Sequence, residues 1–184
     1  SRKPGPALLL GSHTDTQPRG GWLDGAMGVI YGLEAARALA EDPAPRDLAV
    51  DVASWADEEG SYLNQLGSRC FCGKLALEDQ EVKTAVGGQL ATGGEPLRDA
   101  LQRMHQWMQE QDKKDRSGPE ITHTMRWDDA GEQRLVGYLE AHIEQGPFLD
   151  RSGGRIGVVT GIVGKRGVLV VVEGCVVVVV GGWG

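Results

Sequence analysis

Acidic and imidazole side chains stand at or just beyond the carboxyl ends of three apolar segments of this sequence. They are His13, Asp15, Asp24, Glu58, Glu59 and His142. Sites in open α/β sheets form beyond the carboxyl ends of the strands, so these residues meet at one edge if the apolar segments are neighbouring parallel strands. Imidazole and carboxylate groups are common ligands of divalent cations. The pattern therefore favours a metal site built from distant parts of the chain.

Each of these residues also has a simple structural explanation when it is considered alone. Asp24 stands just ahead of a predicted helix, where an aspartate often caps the N-terminus. The acids in 57–59 can form a solvated loop, and a lone histidine such as His142 is more often structural. Three such groups at three strand ends are harder to explain separately, and together they favour the metal site.

The chemistry available to such a site is hydrolysis. A carboxylate such as that of Asp24 can give one oxygen to each of two cations. Of the neighbours Glu58 and Glu59, one can bind metal while the other acts as general base on a water molecule whose pKa the metal lowers. Asp15 can accept the second N–H of the His13 ring, provided that the backbone turns suitably between them.

Alternating strand and helix patterns must position these groups. Strands are predicted at 7–10, 48–55, 135–143, 156–163 and 168–173, and helices at 27–39, 68–77 and 96–111. Residues 78–94 are predicted to be a surface excursion, and 112–131 to be irregular. The alternation predicts an α/β fold, a three-layer sandwich with a mostly parallel sheet. The uncharged valine stretch at 176–180 has strong β propensity and is an aggregation hazard if it is exposed.

Composition narrows the classes of function. The chain has 184 residues, 40% of them hydrophobic and 24% charged, with a formal net charge of -7, as in ordinary globular proteins. We expect no nucleic-acid partner, because no basic face is clustered, and no membrane partner, because no apolar run is long enough to span a bilayer. The three cysteines have no regular spacing, which favours free thiols in a reducing compartment and hence the cytoplasm.

The order of the motifs resembles a known family. They are Gly-Ser-His-x-Asp-Thr, Asp-Gly-x-x-Gly-Val, Asp-Glu-Glu-Gly-Ser, Leu-Gly-Ser-Arg, His-Ile-Glu-Gln-Gly-Pro and Ile-Gly-Val-Val-Thr-Gly-Ile-Val-Gly. This order is similar to that of the N-carbamoyl-amino-acid hydrolase and allantoate amidohydrolase group, within the clan of two-metal aminoacylases and metallo-carboxypeptidases. The motif that contains His142 is the most discriminating, because peptidases of the clan usually have an acid there.

The resemblance implies a fold and a set of metal ligands. The fold is the catalytic domain of the two-metal peptidases and related hydrolases. His13 and His142 bind one divalent ion, Asp24 bridges it to a second, and Glu59 binds that second ion. The ions are zinc, manganese, cobalt or nickel, since all of them suit imidazole and carboxylate ligands.

The resemblance also implies a reaction. Glu58 is the general base, Asp15 is the partner of the His13 ring, and Gln145 contacts the ureido or carboxylate end of the substrate. The reaction is hydrolysis of a linear carbamoyl or amidine C–N bond in a small ureido or amidine substrate.

Members of the group are longer than this sequence, and we expect a truncated chain. Residues 1–167 correspond to the N-terminal part of the catalytic domain, and 168–184 to the start or a remnant of a lid and dimerisation domain. The second metal position is incomplete, because no histidine here matches the last ligand. A homodimer is expected of the full-length proteins through the lid.

Three alternatives stay open. The first is an inactive fragment that keeps the fold. The second is a metal-binding or interaction module that catalyses no reaction, and the third is a peptidase or deacylase of the wider clan. Metal content and release of ammonia from ureido compounds distinguish these alternatives.

Overall fold

The computed structural model describes residues 6–44, 49–88, 94–114, 135–161, 165–172 and 175–182. In chain order the elements are β1 (Ala7–His13), α1 (Ala26–Glu41), β2 (Ala49–Trp55), α2 (Leu66–Phe71), α3 (Gln80–Gly87), α4 (Leu97–Lys114), β3 (Leu135–Leu139), α5 (Phe148–Ser152), β4 (Lys165–Val172) and β5 (Cys175–Gly182). The chain divides after Ile143 into two units. None of the described helices is both long and apolar enough to cross a membrane.

A parallel sheet of order β2-β1-β3 forms the centre of the first unit. The apolar run in β1 is buried, as expected of a strand with a neighbour on each side. Its pairing with β2 continues to His13↔Trp55, whereas its pairing with β3 ends at Leu10↔Leu139. Because all three strands are parallel, their carboxyl ends meet at one edge of the sheet. The predicted α/β class and parallel sheet are confirmed.

Helix α1 packs closely against β1 and β2. A side chain at Gly28 would place its Cβ 2.4 Å from the carbonyl oxygen of Ala141 and 2.6 Å from Cβ of Ser12. Only glycine permits this approach, which brings α1 against β1 and against the segment after β3.

A second cluster of buried side chains joins the loop after β2 to α3 and α4. Its members are Leu63, Val82, Ala85 and Leu97. The prediction of a surface excursion at 78–94 was therefore wrong, since α3 lies within it and buries two of these residues. Its two buried positions fall among polar residues, so the helical period is too short to stand out in the sequence.

Helix α2 is shorter than predicted and begins earlier. It ends at Phe71, and the following Gly73 has a φ of 62°, which is typical of a residue just beyond a helix C-terminus. The helix predicted at 68–77 therefore began and ended too late.

The strand predicted at 135–143 was too long. Backbone pairing between β3 and β1 stops at Leu139, and residues 140–144 are irregular. Glu140 bonds to β1 through its side chain instead, as described below. His142, which the prediction placed near the end of this strand, therefore lies in the irregular segment just beyond it.

The second unit contains α5 and an antiparallel hairpin of β4 and β5. The strand predicted at 168–173 is confirmed by β4 over the residues that the structure describes, and the valine stretch 176–180 lies in β5. The prediction of a strand at 156–163 was wrong for residues 156–161, which are exposed and do not form a strand. High β propensity does not make a strand without a neighbour to pair with.

Two other predictions fall partly outside the described residues. In the segment predicted to be irregular, residues 112–114 belong to α4, and 115–131 lie outside the described residues. Residues 162–163 of the predicted strand also lie outside them. The domain boundary at 167/168 stays a prediction.

Candidate metal centre

The buried imidazole of His13 stands at the end of the central strand, with only 2% of the residue exposed. Its Nδ1 lies 2.8 Å from the backbone carbonyl oxygen of Asp15. A ring nitrogen that faces a carbonyl carries the hydrogen, so the lone pair of the neutral ring is on Nε2. That atom faces two carboxylates, at 3.9 Å from Oδ1 of Asp24 and 3.6 Å from Oε2 of Glu58.

Gly25 allows the His13 ring to occupy this place. Its backbone has a φ of 74° and a ψ of -57°, and a Cβ there would lie 2.4 Å from the ring. Gly25 also takes the N-cap position of α1, and it makes no side-chain hydrogen bond there. The alternative that Asp24 serves as the helix cap is therefore wrong, and its carboxylate faces the imidazoles instead.

His142 approaches the same carboxylate from the segment after β3. Its Nε2 lies 3.0 Å from Oδ1 of Asp24, and its Nδ1 lies 2.7 Å from the carbonyl oxygen of Ile143. The lone pair of the neutral ring thus faces a carboxylate oxygen, and two acceptors at this distance repel each other unless a cation or a proton lies between them. Asp24 is only 6% exposed, so water screens that repulsion weakly.

This donor set fits a divalent cation. One ligand atom each from His13, Asp24 and His142 lies within 4.8 Å of the others. A small cation that joins two imidazoles and a carboxylate removes the repulsion between them, and these are ligands that zinc and similar ions take.

The loop after β2 presents the two glutamates because Asp57 holds the loop in shape. The Asp57 carboxylate accepts the backbone N–H groups of Ser61, Tyr62 and Leu63 at 2.6, 3.0 and 2.7 Å. Of the three consecutive acids, Asp57 therefore has a structural role. His13, Glu58 and Glu59 form a second donor cluster, again with one ligand atom from each within 4.8 Å of the others.

Asp15 and Gln17 connect the loop after β1 with Glu59. The Asp15 carboxylate accepts the backbone N–H of Glu59 at 3.0 Å, while its nearer oxygen is 3.6 Å from Nδ1 of His13. Gln17 donates from Nε2 to Oε2 of Glu59 at 2.8 Å. Asp15 thus orients His13 mainly through its backbone and Glu59 through its side chain.

A cavity of about 320 Å³ lies beside Glu58 in the first unit. Its lining includes Leu9, Trp55, Glu58, Gln65, Ser68, Phe71, Cys72, Tyr138 and Glu140. The Trp55 ring is tilted against Phe71 and Tyr138, with centroid distances of 5.2 and 6.1 Å. Burial raises the pKa of the Tyr138 phenol above its usual range, so at neutral pH this hydroxyl is a hydrogen-bond donor.

Five of the six residues from which the metal site was inferred converge in these two clusters, and Asp15 supports them. Gln145 lies exposed at the start of the second unit, and its contact with substrate stays a prediction. Gln17 could not be predicted from the sequence, because its contact with Glu59 spans 42 residues. The glycine after Asp24 was visible as part of a motif, but its steric role was not.

A parallel α/β sheet whose strand ends bring imidazoles and carboxylates together has the ligands that a metal-dependent hydrolase needs. A family model for peptidase family M28 matches residues 1–114, and the chain belongs to that family. The family is metal-dependent, and the two donor clusters are its possible ligand groups in this chain.

Several known proteins are similar to the chain. An N-carbamoyl-L-amino-acid amidohydrolase from Pseudomonas sp. (strain NS671) is 32% identical over 86% of this chain and 34% of its own length. An allantoate deiminase from Arabidopsis thaliana is 33% identical over 91% of this chain and 29% of its own length. The crystal structure of an amidase of the hydantoinase/carbamoylase family from Burkholderia phymatum is 50% identical, with a TM-score of 0.67, over 91% of this chain and 36% of that one.

These similarities confirm the resemblance to the N-carbamoyl-amino-acid hydrolase and allantoate amidohydrolase group. The chain spans about a third of the length of the relatives that it matches.

Proposed function

We propose that this chain supplies the metal-binding part of an amidohydrolase that cleaves C–N bonds other than peptide bonds in linear amides or amidines. The substrate class is that of N-carbamoyl amino acids, ureidopropionate or allantoate. The observation that carries the proposal is the meeting of His13, Asp24 and His142 around one point, with the carboxylate of Glu58 beside it. The names of the relatives support the type of bond.

The proposed ligands belong to the two clusters. His13, Asp24 and His142, which form one cluster, would hold the first cation. Glu59, from the other cluster, would bind a second cation, and the assignment of Asp24 to both cations rests on the resemblance to the family. When bound, the cations polarise the substrate carbonyl and lower the pKa of water. Zinc, manganese, cobalt and nickel all suit these donors. Among the described residues, the cluster that contains Glu59 has no histidine other than His13, which already serves the first cation, so the second position is weaker than the first.

Glu58 is the proposed general base. Its carboxylate lies 3.6 Å from Nε2 of His13 and is partly exposed, so it can reach both the donor cluster and solvent. It accepts the proton of the water that attacks the carbonyl carbon and returns it to the leaving nitrogen as the C–N bond breaks. For a carbamoyl group, the products are ammonia, carbon dioxide and the free amino compound.

The remaining assignments complete the proposal. Gln145 contacts the ureido or carboxylate end of the substrate. The full-length protein is a homodimer. The exposed free thiols of Cys70 and Cys72 support a reducing compartment, the cytoplasm.

The decisive experiment transplants residues 6–143 into the Burkholderia phymatum amidase in place of its equivalent segment. We expect the chimera, loaded with Zn²⁺ or Mn²⁺, to release ammonia from N-carbamoyl amino acids or allantoate. The isolated chain should show weak turnover or none, because it spans about a third of that enzyme.

Glu58→Gln in the chimera provides the control. It should lower turnover by about 100-fold or more and leave the metal content, measured by mass spectrometry, unchanged. If the metal is lost instead, Glu58 is a ligand and the roles of Glu58 and Glu59 are reversed. Cleavage of peptides or acyl-amino acids without release of ammonia would support a peptidase or deacylase and contradict the proposal.

A further inference from the structure

A network of side-chain hydrogen bonds crosses the three strands at the edge where the metal donors lie. Trp55 donates from Nε1 to the Tyr138 hydroxyl at 2.9 Å, and that hydroxyl donates to Oε2 of Glu140 at 2.8 Å. Ser12 donates from Oγ to Oε1 of Glu140 at 2.7 Å. We call these four residues the strand-end network. Glu140 is its centre, because each of its carboxylate oxygens accepts one hydroxyl.

The network lies next to the proposed metal ligands in the sequence. Ser12 directly precedes His13, Trp55 stands three residues before Glu58, and Glu140 stands two residues before His142. Glu140 itself is in neither of the donor clusters found among the described residues. Its place in the fold is therefore beside the ligands and not among them.

Backbone pairing does not fix the position of His142. The ladder between β1 and β3 ends at Leu10↔Leu139, three residues before His142. Beyond that point, the bond from Ser12 to Glu140 connects the two strand ends, and Ser12 is fully buried. A hydroxyl that donates to a carboxylate makes a short, charge-assisted bond, which is stronger than one between neutral groups. This bond is well suited to hold the segment that follows.

We propose that Glu140 is a positioning residue for the metal centre. Its carboxylate, held by Ser12 and Tyr138, fixes the start of the segment after β3 so that the His142 ring meets Asp24 and His13. The inference rests on the metal position proposed above. Groups that orient metal ligands commonly change metal affinity by about 10- to 100-fold when they are removed. Glu140 acts on His142 through the backbone between them, since its side chain bonds to Ser12 and Tyr138.

The test measures metal affinity in the whole 184-residue chain. Glu140→Ala should raise the dissociation constant for Zn²⁺, measured by calorimetry, by about 10- to 100-fold. Bound Co²⁺ should show an altered visible absorption band, since the band reports ligand geometry. Glu140→Gln keeps the shape and one acceptor oxygen, so it should recover most of the affinity.

The matched control is Glu95→Ala. Glu95 also accepts a tyrosine hydroxyl, that of Tyr62, and pairs with Arg103, but it is in neither donor cluster. This variant should bind Zn²⁺ with the affinity of the unmodified chain, even if it unfolds at a lower urea concentration. A purely structural role of Glu140 would give the same result for both alanine variants.

Smaller substitutions test the positioning role of Glu140 if Glu140→Ala does not fold. Ser12→Ala and Tyr138→Phe each remove one bond to Glu140 and should each raise the dissociation constant. Unchanged affinity and an unchanged Co²⁺ spectrum in these folded variants, or in Glu140→Ala, would overturn the positioning role while the proposed function stands. If the unmodified chain binds neither Zn²⁺ nor Co²⁺, both proposals fail.

Discussion

Two imidazoles and a carboxylate in the first unit face one another through acceptor atoms, which is unfavourable unless a cation or a proton lies between them. His142 Nε2 and Asp24 Oδ1 are 3.0 Å apart, and the hydrogen on each imidazole is directed to a backbone carbonyl, that of Asp15 for His13 and that of Ile143 for His142. The backbone thus selects the tautomers that leave both Nε2 atoms available. At this scale, the site is prepared by main-chain groups as much as by side chains.

Gly25 gives the first prediction at the residue scale. Gly25→Ala should destabilise the chain by about 3 kcal/mol or more and lower Zn²⁺ affinity by at least about 10-fold. The reason is that the new Cβ would lie 2.4 Å from the His13 ring, so the ring or the start of α1 must move. Urea unfolding and calorimetric titration measure the two effects.

Gly73→Ala is the matched control for that substitution. Gly73 also has a positive φ, of 62°, but nothing lies within 4 Å of the Cβ it would gain. It should therefore lose about 1 kcal/mol from backbone strain alone, with unchanged Zn²⁺ affinity. Equal losses of stability and affinity in the two variants would contradict the steric role of Gly25.

At the scale of elements, the loop between β2 and α2 determines where the two glutamates lie. Asp57 has a φ of 52° and accepts three backbone N–H groups of the loop. Asp57→Ala should lower the free energy of unfolding by about 2–3 kcal/mol. It should also weaken metal binding, because Glu58 and Glu59 lose their support.

Asp57→Asn is the milder variant for comparison with Asp57→Ala. It keeps one acceptor oxygen and a side chain that tolerates positive φ, so it should lose less stability than Asp57→Ala. Urea unfolding and Zn²⁺ titration of the two variants provide the comparison. If Asp57→Ala is as stable as the unmodified chain, the three hydrogen bonds do not hold the loop.

The sequence was sufficient to predict the elements that bear the site, but not all of their limits. A continuous apolar run predicted β1, the apolar residues Val50, Val52 and Ala53 predicted β2, and helical spacing predicted α1, because these patterns reflect burial directly. The end of β3 was missed because it depends on where pairing with β1 stops, which is a contact between distant residues. Helix α3 was missed because it buries only two residues of a polar segment.

The same limit applies to the site. The ligand residues could be predicted because His13, Asp24 and His142 each follow an apolar segment or precede a helix. The supporting residues Ser12 and Gln17 could not be predicted, since their hydrogen-bond partners lie 128 and 42 residues away. Local pattern therefore identified the chemistry, and only the fold identified what holds it in place.

At the scale of the whole molecule, the metal donors found among the described residues belong to the first of the two units. Both donor clusters are drawn from residues 13–142, and the chain divides after Ile143. A cation that binds only the folded first unit stabilises that unit by mass action, by about 2.7 kcal/mol at a free concentration 100-fold above its dissociation constant. The second unit contributes no ligand to either cluster and gains nothing directly.

Hydrogen exchange tests this division. With Zn²⁺ at that concentration, amides of β1 and β2 that exchange through unfolding of the first unit should slow by about 100-fold, and a chelator should reverse the change. Amides of α5, in the second unit, should exchange at an unchanged rate and provide the internal control. If α5 slows as much as β1, the two units unfold together. If neither slows, the donors around Asp24 do not bind the ion in the folded chain.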